Sequence, residues 1–344
     1  MSSKKKLQIA LIGAGRIGSS HAEIIDRRLH NAELVAVADP APGAAARLAD
    51  HLECDRIITD PAEVWADPGI DAVVIASPAR FHTPLAESAA RAGKHVFCEK
   101  PMALSIAEAE RVIQAVKDSG VHLQVGFNRR WDRAFAAGRD AVDKGQIGEV
   151  QLMRSLTRDP GPWGGDPAKV PQWTIFYETL IHDFDTLLWL NPGARPVEVF
   201  AQADALVRPD ARASGHLDTA VVTIRFDNGA LAVAEANFNA LYGYDIRGEV
   251  FGNKGMVTMG DVQKSNLKLF GAQGISADTW RLDTQEFADA YTAQFQHFTD
   301  ACLGIRPFSA PTGRDARAAL AVALAAIESV KHNAPVAVER IAAL

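Results

Sequence analysis

Cysteine is scarce in this sequence, and its three cysteines, Cys54, Cys98 and Cys302, lie far apart. Their spacing matches neither a disulfide framework nor the paired ligands of a metal site. We therefore expect free thiols in a reducing, cytoplasmic setting and no bound metal. Basic residues are fewer than acidic ones, and the net charge of −6 argues against nucleic acid as a partner, because its phosphates require a basic surface.

Long apolar segments are also missing. The run Leu7–Ile12 follows three lysines, as in a secretory signal, but glycines and Arg16 come directly after it. It is too short for a signal peptide or a membrane span, so it predicts a buried strand and no membrane partner. With 344 residues, 48% of them hydrophobic, the chain has the length for two domains with sizeable cores.

The first 126 residues alternate between short apolar runs and stretches of helical periodicity. The predicted strands are Leu7–Ile12, Glu33–Ala38, Ala72–Ala76, His95–Cys98 and His122–Gly126, and the predicted helices are Ser19–Leu29, Pro42–Leu52, His82–Ala92 and Ser105–Asp118. Apolar strands with helices between them are typical of a parallel, doubly wound α/β sheet. We therefore assign residues 1–126 to one domain of this class.

After residue 126 the pattern changes. Helices are predicted at Arg130–Lys144 and from about Phe176 to Leu190, with a strand at Glu149–Thr157 between them. Further strands are predicted at Val197–Leu206, Thr219–Phe226, Ala230–Phe238, Asp245–Gly252 and Gly255–Met259, and closing helices near Glu286–Leu303 and Gly313–Val330. Consecutive strands predict a largely antiparallel sheet, so residues 127–344 are expected to form an α+β domain.

A glycine-rich segment follows the first predicted strand. Gly13, Gly15 and Gly18, with Arg16 and Ile17 before the last, match the pattern GxGxxG. Alone, the pattern is also compatible with an ordinary turn. Here it joins a strand to a helix inside a βαβ unit, which is the context of a Rossmann dinucleotide-binding domain. The glycines allow the backbone to approach a pyrophosphate at the helix N-terminus.

Asp39 favours NAD over NADP. It ends the second predicted strand, where a carboxylate accepts hydrogen bonds from both ribose hydroxyls of NAD and repels a 2′-phosphate. Pro40 and Ala41 supply no neighbouring cation that would reverse this preference.

Ser77, Pro78 and Lys100 follow predicted strands of the same sheet. The carboxyl ends of such strands form the ligand-binding edge of an open α/β sheet. Ser-Pro is also common in ordinary turns, and most lysines lie on the surface. In a cofactor cleft, however, an ammonium group can stabilise an oxygen that gains negative charge.

Glu178 and His182 are four residues apart on one predicted helix and therefore share a face. Three interpretations are open: a surface ion pair, a metal site, or a catalytic pair in which His182 removes a hydroxyl proton. The apolar residues around them disfavour the first, and the second lacks further ligands. An imidazole is suited to proton transfer at neutral pH.

Six short segments occur in the order and spacing of one known family. They are Gly13–Gly18, Ala76-Ser77-Pro78 with His82 after it, Glu99-Lys100-Pro101, Gly126–Arg130, Ile181–Asp185 and Tyr242–Asp245. With these segments, nearly the whole chain resembles the Gfo/Idh/MocA oxidoreductase family, and within it the inositol 2-dehydrogenases. The Glu-Lys-Pro segment is the most specific of these marks.

The resemblance implies an NAD-dependent dehydrogenase that oxidises a secondary hydroxyl of a cyclic polyol. It implies that Lys100 contacts the nicotinamide and the reacting hydroxyl, that His182 is the acid/base and that Glu178 is the orienting carboxylate. It also implies further ligands, for the cofactor Ser77, Pro78, His82 and Glu99, and for the substrate Arg129, Arg158, Asp159 and Tyr244.

Glu178 departs from the family pattern, because polyol dehydrogenases of this group usually carry aspartate there. The additional methylene reshapes the pocket, so a sugar dehydrogenase acting on an aldose, an anhydrosugar or a glycoside is the alternative. A non-enzymatic NAD-binding regulator is a third hypothesis, but it gives Lys100, Glu178 and His182 no purpose.

The loop from Asp159 to Pro171 contains Trp163. Aromatic faces stack on the C–H faces of sugar rings, so this loop is either a substrate lid that includes Trp163 or a simply packed segment. The resemblance further implies a homodimer or homotetramer, formed through an exposed sheet of the second domain.

Overall fold

The structure is a computed structural model that describes residues 6–41, 43–52, 54–161 and 170–342. Packing divides them into two units. The first comprises the described chain up to Trp131 together with Ala288–Arg317, and the second comprises Asp132–Phe287 and the described chain from Ala318. Residues 288–317 thus belong with the first unit although they come late in the chain, and the predicted boundary after residue 126 stays a prediction.

The first unit contains a parallel sheet, as predicted. Its strands are β1 (Leu7–Ile12), β2 (Ala32–Ala38), β3 (Ile57–Ile58), β4 (Ala72–Ile75), β5 (His95–Cys98) and β6 (Leu123–Val125). Their order is β3-β2-β1-β4-β5-β6, with every neighbouring pair parallel. Between β1 and β4 the order reverses, and this is the switch point where such sheets bind ligands. Strand β3 was not predicted, because two residues carry no periodicity.

Helices join these strands. They are α1 (Arg16–Arg28), α2 (Ala44–His51), α3 (Ala62–Ala66), α4 (His82–Arg91) and α5 (Ile106–Ser119). Side chains cap the start of α5. The hydroxyl of Ser105 accepts the backbone N–H of Glu108, and the Glu108 side chain accepts the backbone N–H of Ser105. This capping box satisfies two backbone donors that a helix end leaves free.

The second unit contains a mostly antiparallel sheet. The later strands of the described chain are β7 (Val150–Arg158), β8 (Pro196–Asp204), β9 (Thr219–Phe226), β10 (Leu231–Asn237), β11 (Asp245–Gly252), β12 (Gly255–Met259), β13 (Gln263–Gly271), β14 (Gly274–Thr279) and β15 (Val336–Ala337). The sheet order is β12-β11-β7-β10-β9-β8-β15, and only the β7–β10 pair of these described strands is parallel. The predicted α+β class is therefore confirmed.

The later helices of the described chain are α6 (Arg133–Asp143), α7 (Ile181–Trp189), α8 (Asp283–Glu286), α9 (Ala288–Cys302), α10 (Gly313–His332) and α11 (Val338–Ala342). A π-helix, Ile175–Leu180, leads directly into α7. The sequence predicted one α-helix over both segments, because periodicity alone does not distinguish the wider π-turn. No helix of the described ranges has the length and apolar character needed to cross a membrane.

Strand β7 shows the two faces of the second sheet. Ser155 and Thr157 are buried on what we call the inner face, where their hydroxyls donate to Asp183 of α7 at 2.6 and 2.8 Å. Arg154 and Arg158, at the alternate positions of the strand, lie on the outer face. Each pairs there with Glu235 of β10.

The hairpin formed by β13 and β14 has little apolar cover within its own chain. Leu267, Leu269, Phe270 and Ile275 are between 58% and 73% exposed. The sequence analysis did not predict these strands, because their pattern lacks a buried face. A two-stranded hairpin is only marginally stable by itself in water.

Histidines stack at the amino end of β5, opposite the edge where ligands bind. The rings of His95 and His122 are 5.0 Å apart and nearly parallel, and His122 also stacks on Phe308 at 4.7 Å. The backbone N–H of His122 donates to Nδ1 of His95 at 3.0 Å. Burial lowers the pKa of both histidines below the ordinary value of 6.5, and for His95 the neighbouring His122 adds to this effect.

We expect the stack to make the first unit less stable in mild acid. Above pH 6.5 these histidines are neutral in both states, but below it the unfolded chain takes up protons first, so the free energy of unfolding falls. Urea unfolding between about pH 7 and pH 5 measures this slope. A variant with His95→Gln and His122→Gln is expected to show a flatter slope. The exposed His332→Gln serves as control, and an equal slope in all three proteins would contradict the assignment.

Candidate active site

The glycine turn after β1 leaves the N-terminus of α1 accessible. Gly13 has a φ of 103°, and a Cβ there would lie 2.7 Å from the backbone of Ala76 and Ser77. A Cβ on Gly18 would collide with the carbonyl of Gly13, whereas one on Gly15 would meet nothing within 4 Å. The turn therefore requires glycine for close packing on one side and is open on the other, where a pyrophosphate can approach the helix.

The first turn of α1 itself contributes Arg16, which is exposed, and Ile17, which is half-buried. Gly15, the N-cap residue, makes no side-chain capping hydrogen bond. The positive end of the helix dipole lies at this glycine turn, as the prediction of a phosphate-binding turn requires.

Asp39 directly follows β2 and is fixed at the same edge. One carboxylate oxygen accepts the N–H of Ala14 at 2.8 Å, and the other accepts the N–H of Ala41 at 2.7 Å. Each oxygen can accept a second hydrogen bond. The carboxylate is therefore held against the glycine turn with capacity left for two ribose hydroxyls, which fits NAD.

Ser77 and Pro78 lie where β4 ends, across the switch point from the glycine turn. The Ser77 hydroxyl is buried, and no hydrogen-bond partner for it occurs among the described residues, whereas Pro78 is exposed. A buried hydroxyl normally has a partner, so this group has bonding capacity for a bound molecule. The orphaned hydroxyl is a further sign that this edge fits a dinucleotide.

Glu99 and Lys100 follow β5 at the same edge. Glu99 is buried, and its Oε1 lies 2.7 Å from Nε2 of His21, while its Oε2 accepts the backbone N–H of Lys100 at 3.2 Å. Burial raises the pKa of Glu99, but the hydrogen bond and the electrostatic interaction with His21, together with the interactions with Lys100 and His82, lower it overall, below the ordinary carboxyl value. The carboxylate is therefore ionised beside Lys100, which is half-buried.

His82, the first residue of α4, lies against backbone rather than at the open edge. Its Nδ1 is 2.8 Å from the carbonyl oxygen of Pro101, and its Nε2 is 2.7 Å from that of Ser77. The imidazole thus links the segments that follow β4 and β5. Its predicted contact with the cofactor stays a prediction.

Arg129 is buried in the helical turn Asn128–Trp131 after β6, and the neighbouring Arg130 pairs with Asp315 at 3.0 Å. The role of Arg129 toward substrate stays a prediction.

Within the described ranges, no group of three or more His, Cys, Asp or Glu side chains is placed to hold a metal ion.

In the second unit, Glu178 lies in the π-helix and His182 in the first turn of α7. Both are half-buried, whereas Phe176, Leu180 and Ile181 between and before them are at most 1% exposed. The apolar side of the segment faces the core, and the two polar side chains remain on the accessible side. The predicted shared face stays a prediction, and π-turns are frequent at functional sites.

Asp183 holds this helix on the sheet. Its carboxylate is fully buried and accepts both hydroxyls of the inner face of β7, Ser155 and Thr157. A buried carboxylate must be hydrogen-bonded, so these donors fix the position of the helix along the strand. His182, the preceding residue, is positioned by this attachment.

The structure does not bring Arg158 to this inner face. Its guanidinium lies on the outer face, paired with Glu235. The predicted contact of Arg158 with the substrate stays a prediction, and in this structure the side chain lies on the face opposite Asp183. Asp159 accepts the N–H of Gly161 at 2.6 Å, and Tyr244 donates its backbone N–H to the carbonyl of Trp280 at 2.8 Å. Both are half-buried.

Trp163 lies outside the described residues, as does most of the predicted lid.

Sequence reasoning missed His21, the buried partner of Glu99. The signal was a polar residue three positions after Gly18, on the apolar side of a helical pattern. Such a residue requires a polar partner inside the core.

Comparison with known proteins agrees with this geometry. The chain matches the oxidoreductase family with NAD-binding Rossmann fold over residues 7–127 and the GFO/IDH/MocA C-terminal domain over residues 135–258. The myo-inositol 2-dehydrogenase of Thermotoga maritima is 35% identical, covering 97% of this chain and 99% of that protein. The scyllo-inositol 2-dehydrogenase (NAD(+)) of Bacillus subtilis is also 35% identical, over 96% of each chain.

A solved structure shows the same likeness. The scyllo-inositol dehydrogenase from Lactobacillus casei, with NAD(H) and scyllo-inositol bound, has a TM-score of 0.93 at 29% identity, covering 97% of this chain and 100% of that one. The resemblance found in the sequence is therefore confirmed along both units. This chain belongs to the Gfo/Idh/MocA family of NAD-binding oxidoreductases.

Proposed function

We propose that this protein is an NAD-dependent dehydrogenase that oxidises a secondary hydroxyl of a cyclic polyol of the inositol type to a ketone. The observation that carries the proposal is the likeness to inositol dehydrogenases over 96% or more of the chain. That span includes the dinucleotide-binding edge and the helix with Glu178 and His182. The anchored carboxylate of Asp39 supports NAD as the cofactor.

The side chains have separate roles in the proposed reaction. When bound, NAD accepts the hydride from the hydroxyl-bearing carbon. The ammonium of Lys100 stabilises negative charge on the substrate oxygen. The imidazole of His182 takes the hydroxyl proton, and Glu178, on the same helix face, orients that imidazole. Arg129, Asp159 and Tyr244 are proposed to bind the remaining substrate hydroxyls.

Glu178 favours a second candidate substrate class. Its side chain is one methylene longer than the aspartate that the resemblance leads us to expect, so the space beside His182 differs. A sugar dehydrogenase that acts on an aldose, an anhydrosugar or a glycoside would use the same acid/base and oxyanion groups. Rates of NADH formation with inositols, free aldoses and glycosides separate the two classes.

We expect His182→Ala to lose turnover and to keep NAD affinity. Removal of a general base costs roughly 10²- to 10⁴-fold in rate, whereas the dinucleotide edge belongs to the first unit. NADH formation with myo-inositol, scyllo-inositol, free aldoses and glycosides measures the first effect, and NAD titration measures the second. The exposed His332→Ala of the same unit is the control.

Near wild-type turnover of the His182 variant would contradict the acid/base assignment. Oxidation of a sugar or glycoside but of no inositol would replace the polyol with a sugar as substrate. Tight NAD binding without oxidation of any of these compounds would instead indicate an NAD-binding regulator.

We expect Asp39→Ala to weaken NAD binding by about 10- to 100-fold, because a hydrogen bond to a charged group contributes about 1.5–3 kcal/mol. NADP affinity is expected to fall less or to rise, since the repulsion of the 2′-phosphate is removed. Calorimetric dissociation constants for both cofactors measure the difference. Asp39→Asn keeps an acceptor for Ala14 and controls for turn structure, and an equal change for both cofactors would rule out selection by the carboxylate.

We also propose that the protein is a homodimer or homotetramer that associates through the outer face of its second sheet. Leu231, Leu152, Phe251 and Met256 are register partners across β10, β7, β11 and β12. Each of them is between 44% and 51% exposed. A contiguous apolar row of this kind marks an interaction surface, and a second copy also supplies cover for the exposed hairpin of β13 and β14.

Phe251→Glu is expected to shift the assembly toward monomer, because it places a charge in the centre of this row. Light scattering after gel filtration measures the mass. The comparably exposed Ile57→Glu in the first unit is the control. A monomeric wild-type protein, or an unchanged mass for the Phe251 variant, would contradict the interface.

A cytoplasmic location completes the proposal. The thiols of Cys54, Cys98 and Cys302 are free, which suits a reducing compartment, and burial raises the pKa of all three above the ordinary thiol value.

A further inference from the structure

Two buried histidines hold the Glu99-Lys100-Pro101 segment from different helices. His21 of α1 reaches the side chain of Glu99, and His82 of α4 reaches the carbonyl of Pro101. We propose that His21 and His82 are positioning residues for Lys100, which fix the backbone from which its ammonium group extends. The inference rests on the role of Lys100 in the proposed function.

His21 has one polar partner among the described residues. The ring is fully buried, packs against Phe97, Tyr291 and Phe295, and directs Nε2 to Glu99 at 2.7 Å. Nδ1 is also buried, with no partner in the described part of the chain. A buried N–H without an acceptor costs more free energy than a buried lone pair without a donor. The ring proton therefore lies on Nε2, which donates it in a hydrogen bond to Glu99, and Nδ1 carries the lone pair.

The carboxylate of Glu99 connects His21 to the backbone of Lys100. Its Oε1 accepts the hydrogen bond from Nε2 of His21, and its Oε2 accepts the backbone N–H of Lys100 at 3.2 Å. A Cβ on Gly126 would lie 2.8 Å from Oε1, so glycine leaves the space that the carboxylate occupies. The carboxylate therefore bridges α1 and the chain just after β5, and His21 fixes where the bridge ends.

His82 acts from the other side. Both ring nitrogens face carbonyl oxygens, those of Pro101 at 2.8 Å and Ser77 at 2.7 Å. A carbonyl oxygen can only accept, so each ring N–H of His82 is donated to one of these two backbones. The ring therefore holds Pro101, directly after Lys100, against the segment that follows β4.

Ordinary packing of two core histidines is the competing explanation. It predicts that replacement lowers stability and changes kinetics only through the loss of folded protein. Positioning predicts in addition that turnover depends on a donor at one atom, Nε2 of His21, and on the ionisation of Glu99. A conservative replacement that keeps the donor separates these explanations.

The kinetic test compares His21→Phe, which keeps the ring volume without a donor, with His21→Gln, whose amide can donate from nearly the same place as Nε2. We expect the Phe variant to lose about 10- to 100-fold in kcat with little change in NAD affinity, since displacement of a catalytic group costs about that much. We expect the Gln variant to recover most of the rate. His95→Gln, at the opposite end of β5, is the control for loss of a half-buried imidazole that accepts a backbone N–H.

The pH profile adds a readout that packing does not affect. Without its donor, the carboxyl of Glu99 is expected to have a higher pKa. Because His182 must also be neutral, kcat/KM then falls more steeply toward acid pH in His21→Phe than in His21→Gln or His95→Gln. The groups that face Glu99 are His21, Lys100 and His82, and an equally steep fall in all three variants would overturn the assignment.

Nitrogen-15 NMR of the histidine rings tests the inference without any substrate. In the wild-type protein, Nε2 of His21 is expected to carry a proton that is hydrogen-bonded to Glu99, and a ring N–H of His82 is expected to be hydrogen-bonded to a backbone carbonyl. A His21 whose proton lies on Nδ1, or His21→Phe kinetics equal to those of His95→Gln, would overturn the proposal. If the wild-type protein oxidises no polyol or sugar, the proposed function fails, and the NMR result still decides whether the two histidines hold this segment as described.

Discussion

A carboxylate removed from water must find hydrogen-bond donors, and much of the first unit's ligand edge depends on how Glu99 meets this requirement. Its donors are the imidazole of His21 and the backbone N–H of Lys100, and Gly126 leaves the room for its oxygens. One buried charge thus ties helix α1 to the chain after β5, close to where β6 ends. The glycine turn and the Lys100 segment keep a fixed relation because this tie cannot be broken without leaving a buried charge unpaired.

The second unit uses the same arrangement on a helix. Asp183 is buried and accepts the hydroxyls of Ser155 and Thr157, while His182 beside it remains half-buried. In both units a buried carboxylate is the sequence neighbour of the residue proposed for chemistry. Successive residues of a strand end or a helix point in different directions, so one can anchor the backbone while the next faces the open side. Rigid support for reactive groups follows from this pairing.

Much of the fold could be predicted from periodicity. The predicted bounds of β1, β5, β9, β11 and β12 agree with the structure, because each of these strands alternates or runs apolar between clear turn residues. Strand β3 and the hairpin of β13 and β14 were missed, since two residues carry no period and an exposed hairpin has no apolar side. The π-helix was missed because helical periodicity does not resolve an additional residue per turn. Residues 288–317 pack with the first unit, which only long-range contacts reveal.

For the candidate site, the sequence by itself determined the local pattern: a glycine turn before a helix, Asp39 at a strand end, Lys100 after another, and Glu178 four residues before His182. These follow from spacing over short stretches of the chain. Only the tertiary structure decided that His21 and His82 hold the Lys100 segment, that Asp183 is the helix anchor, and that Arg158 lies on the outer face with Glu235. Each of these depends on partners distant in sequence, and burial of a polar group selects its partner by three-dimensional proximity, which spacing along the chain does not encode.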